Sequence, residues 1–385
     1  MLKGLIFLTA FSQVFLSRFG IPIGSDFSLS PCYFFLYLSI FIAAKKRLLY
    51  IDIALALLFL GAVLSSAFSY FIGEPEKSLS SLTLLWFIYL PFVFMPRTKM
   101  TDYGDRGFLN LYYKFLMFLA VSGIVQFLCQ FLFRPDWLFD YRPLLPVYMQ
   151  NKNLMNTVIP IGGFIKSNGF FLLEPAYFSQ WMAYGIAIFL LGTGSYLGCV
   201  LFFLGLLVSF SGTGLILLGV IFTLAAFFPK RGRLLIVLSC FVFFMLFSLL
   251  SKDNLLISRL DEFKGDAGVR TTSAAARFKN PTIVIKEGLM KSPTRFLLGY
   301  GPGTISKVTR DYETHDPVWA KLFFEYGIVG GCFLIAYLYL SCRKTNGSAL
   351  IFSAFVVQWF CLGGHLLTFE VVVFVVLYYK LAPFI

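Results

Sequence analysis

The chain has 385 residues, 58% of them hydrophobic and only 13% charged, with 48 Phe in an aromatic share of 19%. A soluble domain carries about a quarter charged residues, so an aqueous globular fold is excluded and an integral membrane protein is indicated. The net charge of +13 would raise nucleic acid as a partner for a soluble chain; in a membrane protein it has to be sorted by side of the bilayer first, and no nucleic acid is expected.

Apolar runs long enough to approach a hydrocarbon core of about 30 Å recur along the whole sequence. In chain order they fall at 4–19, 29–44, 51–71, 79–95, 109–133, 176–191, 195–210, 213–228, 233–250, 317–340, 348–362 and 366–381. The first follows Lys3 but lacks an Ala-x-Ala-type cleavage site, so it reads as a retained span rather than a signal peptide. The expected fold is therefore an all-α polytopic membrane protein of about 12 transmembrane helices, a single integral membrane domain over 1–385.

Short loops after the second, fourth, eighth and tenth spans carry Lys45-Lys46-Arg47, then Arg97, Lys99 and Arg106, then Lys230-Arg231 with Arg233, then Arg343-Lys344. The intervening short loops carry Arg18 with Asp26, then Glu74, Glu76 and Lys77, and otherwise almost nothing. Basic residues in short loops mark the cytoplasmic side, so both termini are expected in the cytoplasm. Two long polar segments, 134–175 and 251–316, then lie outside as large loops. Within the second, 281–292 sets Ile283, Val284, Ile285, Leu289 and Met290 among Lys286, Glu287 and Lys291, a pattern that predicts a short helix lying against the membrane surface.

Soluble-enzyme motifs are absent: there is no P-loop, no GxSxG and no HExxH. Seven cysteines sit within or beside apolar stretches, as small apolar fillers rather than a disulfide framework or zinc site. The prominent feature is cationic. Segment 251–316 holds eleven Lys and Arg against eight Asp and Glu, and 134–175 adds Arg134, Arg142, Lys152 and Lys166. Such charges are either solvated loop residues or a site for lipid headgroups or a pyrophosphate, which guanidinium forks bind bidentately. Glu325, about 12 Å into its span at 1.5 Å per residue, needs a partner, and Lys321 one turn back can supply it. Glu174 before Pro175 can cap the next helix. Gly299, Gly301 and Gly303 around Tyr300 form a turn, or let backbone approach a phosphate.

Three stretches, in order, carry a family likeness. Residues 165–178 read Ile-Lys-Ser-Asn-Gly-Phe-Phe-Leu-Leu-Glu-Pro-Ala-Tyr-Phe and run into a span. Residues 277–281 read Arg-Phe-Lys-Asn-Pro, and 297–303 read Leu-Leu-Gly-Tyr-Gly-Pro-Gly. Residues 315–330 open the next span with His-Asp-Pro-Val-Trp-Ala-Lys-Leu-Phe-Phe-Glu-Tyr-Gly-Ile-Val-Gly. Flanking two large outer loops in a twelve-span chain, this set resembles the O-antigen polymerase (Wzy-type) and O-antigen ligase superfamily of bacterial membrane glycosyltransferases.

The resemblance implies a metal-independent, cofactor-free glycosyltransferase acting on undecaprenyl-pyrophosphate-linked oligosaccharides at the outer face of the bacterial inner membrane. It implies membrane lipids, a chain-length regulator and a flippase as neighbours. Carried over residue by residue, it matches Arg277 to the family's Arg, His315 to the His opening the next span, and Glu325 with Gly327 to the acid–x–Gly pattern. Where the family's loop carries Arg, this chain has Lys166, a point charge rather than a fork, leaving Arg142 or Arg270 to supply the guanidinium. The expected catalytic residues are His315, Arg277 and Glu174, with Lys166, Arg142, Arg270, Tyr300 and Glu325 on the substrate. The chemistry agrees: fixed cations stabilise a departing diphosphate, and an imidazole titrating near neutrality suits a base for the acceptor hydroxyl.

The leading expectation is a polymerase that joins repeat units into an O-antigen, capsule or exopolysaccharide. The ligase that moves finished glycan to a lipid A core is the alternative within the superfamily. A flippase or transporter is the alternative outside it. A transporter should line a central path with ionisable residues and show repeat symmetry, whereas the intramembrane charges here are few and the polar mass sits in two loops.

Overall fold

A computed structural model describes residues 1–22, 28–151, 157–161, 163–226, 275–307, 316–345, 347–363, 365–368 and 370–385, with short pieces at 234–235, 237–238 and 241–242. The chain is mostly helical. The helices in chain order are α1 (Leu2–Phe15), α2 (Pro31–Lys45), α3 (Ile53–Ile72), α4 (Leu79–Tyr89), α5 (Asp102–Cys129), α6 (Pro175–Leu190), α7 (Tyr196–Ser209), α8 (Gly212–Ala225), α9 (Asn280–Glu287), α10 (Pro293–Leu298), α11 (Val318–Arg343), α12 (Ala349–Cys361) and α13 (Glu370–Val376).

Their starts follow local chemistry. Ser30, Asp52, Ser78, Thr101 and Ser195 each stand at an N-cap and accept an amide of the first turn, satisfying donors that no intrahelical carbonyl can reach. Pro31, Pro175 and Pro293 occupy first-turn positions, where a missing N–H costs nothing.

Three helices among the described residues are long and apolar enough to cross a membrane: Ile53–Ile72, Gly104–Cys129 and Val318–Arg343. Of these, α3 is the most peripheral, with 22% of its apolar window buried against 56% for α11. The exposed large side chains of α3 are Ile53, Leu57, Leu60, Leu64, Phe68 and Phe71. Their spacing puts them on one face of the helix, a stripe about 27 Å long at 1.5 Å per residue, close to the thickness of a hydrocarbon core. Seven shorter apolar helices of 10–17 residues accompany these three.

Two expected spans end differently. The apolar run 79–95 gives α4 and a 3-10 turn Leu90–Val93, then leaves the helix as strand β4 (Phe94–Pro96), antiparallel to β3 (Leu49–Ile51). Pro91 and Pro96 favour this exit, since proline removes a helical amide. The last run forms α13 and continues through π and 3-10 turns to Phe384. Residues Val371 to Ala382 are buried throughout, so the C-terminal segment is a central pillar enclosed by protein. Phe374 packs there against Phe108, Tyr112, Trp181 and Tyr184.

The two other sheets are also two-stranded: β1 (Ile21–Pro22) with β2 (Ser28–Leu29), and β5 (Pro160–Ile161) with β6 (Phe164–Ile165). The run 281–292, read as a surface helix, forms α9 followed by a 3-10 turn Leu289–Lys291.

Candidate functional site

The sequence-predicted residues fall into two polar assemblies. The first is built from residues of the long polar segment 134–175 and the ends of α1 and α5. Arg18, just beyond α1, is fully buried. It donates to Asp140 Oδ1 at 3.0 Å and to the carbonyls of Phe139 and Leu172 at 2.8 and 2.9 Å, and its guanidinium carbon lies 4.8 Å from the Tyr141 ring centre. Asp140 also receives Arg142, with Nη2 at 2.6 Å from Oδ2 and Nε at 2.9 Å from Oδ1, and the Thr157 hydroxyl at 3.0 Å. Burial by itself would raise the Asp140 carboxyl. The Arg142 and Thr157 hydrogen bonds outweigh it and hold the carboxyl below its ordinary value.

Beneath this pair lies an amide network. Gln126 of α5 donates to Leu138 O and Asn168 Oδ1 and accepts from Ser167. Asn168 in turn donates to the carbonyls of Phe139 and Thr157 at 2.9 and 3.0 Å. The Lys-Ser-Asn-Gly stretch at 166–169 is therefore the buried floor of the loop; Lys166 itself is 6% exposed and its amide donates to Ile159 O at 3.0 Å. Phe170, at φ +67, stacks on Tyr141 at 5.0 Å. Glu174 does stand at the N-cap of α6, but its side chain makes no capping hydrogen bond, so Pro175 starts that helix without it.

The second assembly joins residues 299–303 to α11. Helix α11 is broken within its length: Gly327 has φ +65 and ψ −176. The break frees carbonyls that an unbroken helix would use, and the glycine-rich loop takes them, Tyr300 N to Phe324 O and Gly301 N to Glu325 O, both at 2.9 Å. The approach is possible only between glycines. A Cβ on Gly299, at φ +77, would sit 2.4 Å from Glu325 O, and one on Gly327 would sit 2.3 Å from Leu297 O.

The other side of the loop is held by the α3–α4 connection, with Glu74 N to Tyr300 O at 2.9 Å and Ser78 N to Pro302 O at 2.8 Å. Arg295 of α10 bridges both, donating to Glu74 Oε1 at 2.6 Å and Ile72 O at 3.1 Å while lying 4.9 Å from the Tyr300 ring centre. Tyr300 stacks on Phe324 with centroids 4.6 Å apart and donates to Gly288 O at 3.1 Å.

Glu325 is fully buried at the break. Lys321 Nζ reaches it at 4.0 Å, the pairing expected from the spacing. The amides of Gly303 and Ile305 face the carboxylate, though neither of its oxygens has a hydrogen bond of good geometry among the described residues. Arg277, half-buried, lies in a π turn, Ala275–Lys279, that leads straight into α9. Val284 of α9 packs with Ala320 and Phe324 of α11 and with Ile305, and Tyr300 packs against the same cluster, so the helix that follows Arg277 lies against the α11 segment that carries Glu325.

His315 and Arg270 lie outside the described residues. Among the described residues no three His, Cys, Asp or Glu side chains are placed to hold a metal ion. Sequence reasoning missed Arg18, Asp140 and Arg295. Arg18 was visible as a cation in one of the short loops that otherwise carry almost none, and that asymmetry was its signal. Comparison with family models, with curated proteins and with solved structures finds no match for this chain.

Proposed function

We propose that the chain is a twelve-span glycosyltransferase of the bacterial inner membrane, with both termini cytoplasmic, that polymerises undecaprenyl-pyrophosphate-linked oligosaccharide repeats at the outer face. The observation that carries this reading is the docking of residues 299–303 onto the carbonyls freed by the break in α11. Two motifs of the family likeness, more than twenty residues apart, meet there through backbone bonds that demand their glycines. Such broken helices, with backbone turned toward a polar site, are tolerated at membrane depth only where protein encloses them.

In this reading Arg277, and Arg142 or Arg270 from the loops, stabilise the departing diphosphate, and His315 takes the acceptor proton. Lys166 is buried in the loop floor, which favours a guanidinium for the phosphate contact. Tyr300 and Glu325 shape the second assembly around the substrate. The ligase reading uses the same site and differs in its acceptor.

The test is reconstitution of the purified protein with a lipid-linked repeat unit, read as glycan ladder length. Removing a general base costs about a hundred- to ten-thousand-fold, and H315A and H315Q should both fall by that order with donor binding retained. R277A should abolish polymerisation at normal abundance, and R277K should recover little because the bidentate fork is lost. EDTA should leave the rate unchanged. Single-repeat transfer to a lipid A core with no ladder would replace the polymerase with the ligase, and full activity of R277K with H315Q would remove the site.

A further inference from the structure

The inner end of α3 bears a second charged surface that the glycan reading does not use. The β3–β4 ladder pairs Leu49 with Pro96 and extends to Arg97 N on Leu48 O at 2.9 Å. It thereby sets the basic end of α2 beside the basic segment after β4. Lys45, Lys46, Arg47, Arg97 and Lys99 are all exposed there. The end of α11 joins them, because Lys344 binds Asp52 at 2.6 Å, which neutralises the acid at the start of α3 and leaves neighbouring Arg343 exposed.

Two features fix the depth of this surface. It adjoins the end of the exposed apolar stripe of α3, with Ile51 and Ile53 57% and 77% exposed. Two guanidiniums also lie over exposed tyrosines, Arg97 over Tyr50 and Arg343 over Tyr339, each at 5.8 Å. Tyrosine rings and long cationic side chains take this arrangement at the boundary between hydrocarbon and headgroups. The opposite end of the stripe carries Glu74, Glu76 and Lys77 instead.

We infer that Lys45, Lys46, Arg47, Arg97, Lys99 and Arg343 form a binding surface for the phosphodiester headgroups of anionic phospholipids. The charge is complementary to phosphate, and the adjoining bare Ile and Tyr side chains fit acyl chains rather than a soluble partner. The inference needs α3 to face lipid and is independent of any glycan chemistry.

The experiment titrates full-length protein in neutral detergent with a fluorescent phosphatidylglycerol and, separately, with the matching phosphatidylcholine. Wild type should bind the anionic lipid at least about a hundredfold more tightly, since six cations act on its headgroup. Each cation near a headgroup surface contributes about fivefold, so R97Q with K99Q should lose roughly twentyfold or more. R97K with K99R should keep the binding, and K279Q with K286Q, removing two exposed cations from the outer loop, should leave it unchanged. Equal wild-type affinity for the two lipids overturns the inference even if the neutralised variant cannot be purified. An equal loss in the outer-loop variant overturns it too, since the attraction would then be diffuse.

Discussion

Arg18 shows what one buried cation does for a loop. Its bonds tie residues 139, 140 and 172 to the end of α1, so a segment far away in sequence is fastened to the first helix. Removing this fully buried side chain takes the guanidinium donor from Leu172 O and one of two donors from Phe139 O, and a buried acceptor left unpaired costs about 1–3 kcal/mol, while Asp140 keeps Arg142 and Thr157. R18A should therefore lower the melting temperature in detergent more than R142A, whose side chain is 18% exposed. R18K should fall between them, since an ammonium cannot span all three acceptors. The pH dependence has a definite sign. The folded carboxyl of Asp140 titrates below its unfolded value, so its contribution is complete above the unfolded value near 4 and is lost as pH falls through the depressed folded value. Proteolysis of the segment 134–175 in detergent should accelerate below about pH 4 in wild type, and D140N should show the faster rate already at pH 7. The sequence made Arg142 and Lys166 visible as loop cations. It could not show that Asp140 is shared with Arg18, because a pairing across 122 positions leaves no local pattern.

At the scale of elements, apolar runs and capping residues made most helices legible, and the amphipathic piece at 281–292 appears as α9 and its following turn. What they could not reveal is where a run stops being helix. Residues 94–96 are as apolar as the helix before them and become a strand because Leu49 to Ile51 offers an edge to pair with. The break in α11 is similarly nonlocal. Glu-Tyr-Gly reads as helix interior until the loop at 299–303 supplies donors for the carbonyls of Phe324 and Glu325. The break and the loop stand or fall together. G327A places a Cβ against Leu297 O and strains a left-handed backbone, a conformation costing about 1–3 kcal/mol for a non-glycine residue. G299A meets Glu325 O in the same way. Either variant should lower thermal stability in detergent and abolish activity, whereas G219A, whose Cβ would meet nothing within 4 Å, should do neither. Wild-type stability in G327A would mean that α11 can run unbroken and that the loop is not held by it.

For the molecule as a whole, three helices meet the length and hydropathy of a span among the described residues, and the remaining apolar helices are 10–17 residues long. A helix of 14 residues covers only about 21 Å, so a helix of this length crosses a bilayer only where the bilayer thins locally, flanking side chains snorkel or flanking turns complete the span. Twelve crossings with both termini inside is therefore a claim about how these pieces are stacked, and the placement of charges is what orients it. Cysteine labelling in a cysteine-free background tests it directly. Y148C, at a side chain 70% exposed in the segment 134–175, should react with a membrane-impermeant maleimide applied from outside. K46C, among the basic residues at the start of α3, should react only after the membrane is opened, and E76C, at the other end of the α3 stripe, should behave like Y148C. The third position makes the test discriminating, because α3 alone separates residues 46 and 76. Labelling of K46C from outside would invert the orientation, moving the proposed diphosphate site to the cytoplasm and the proposed lipid-binding surface to the outer leaflet. Labelling of neither K46C nor E76C from outside, with Y148C reactive, would mean that α3 does not cross, and an odd number of crossings would have to be found between residues 76 and 148.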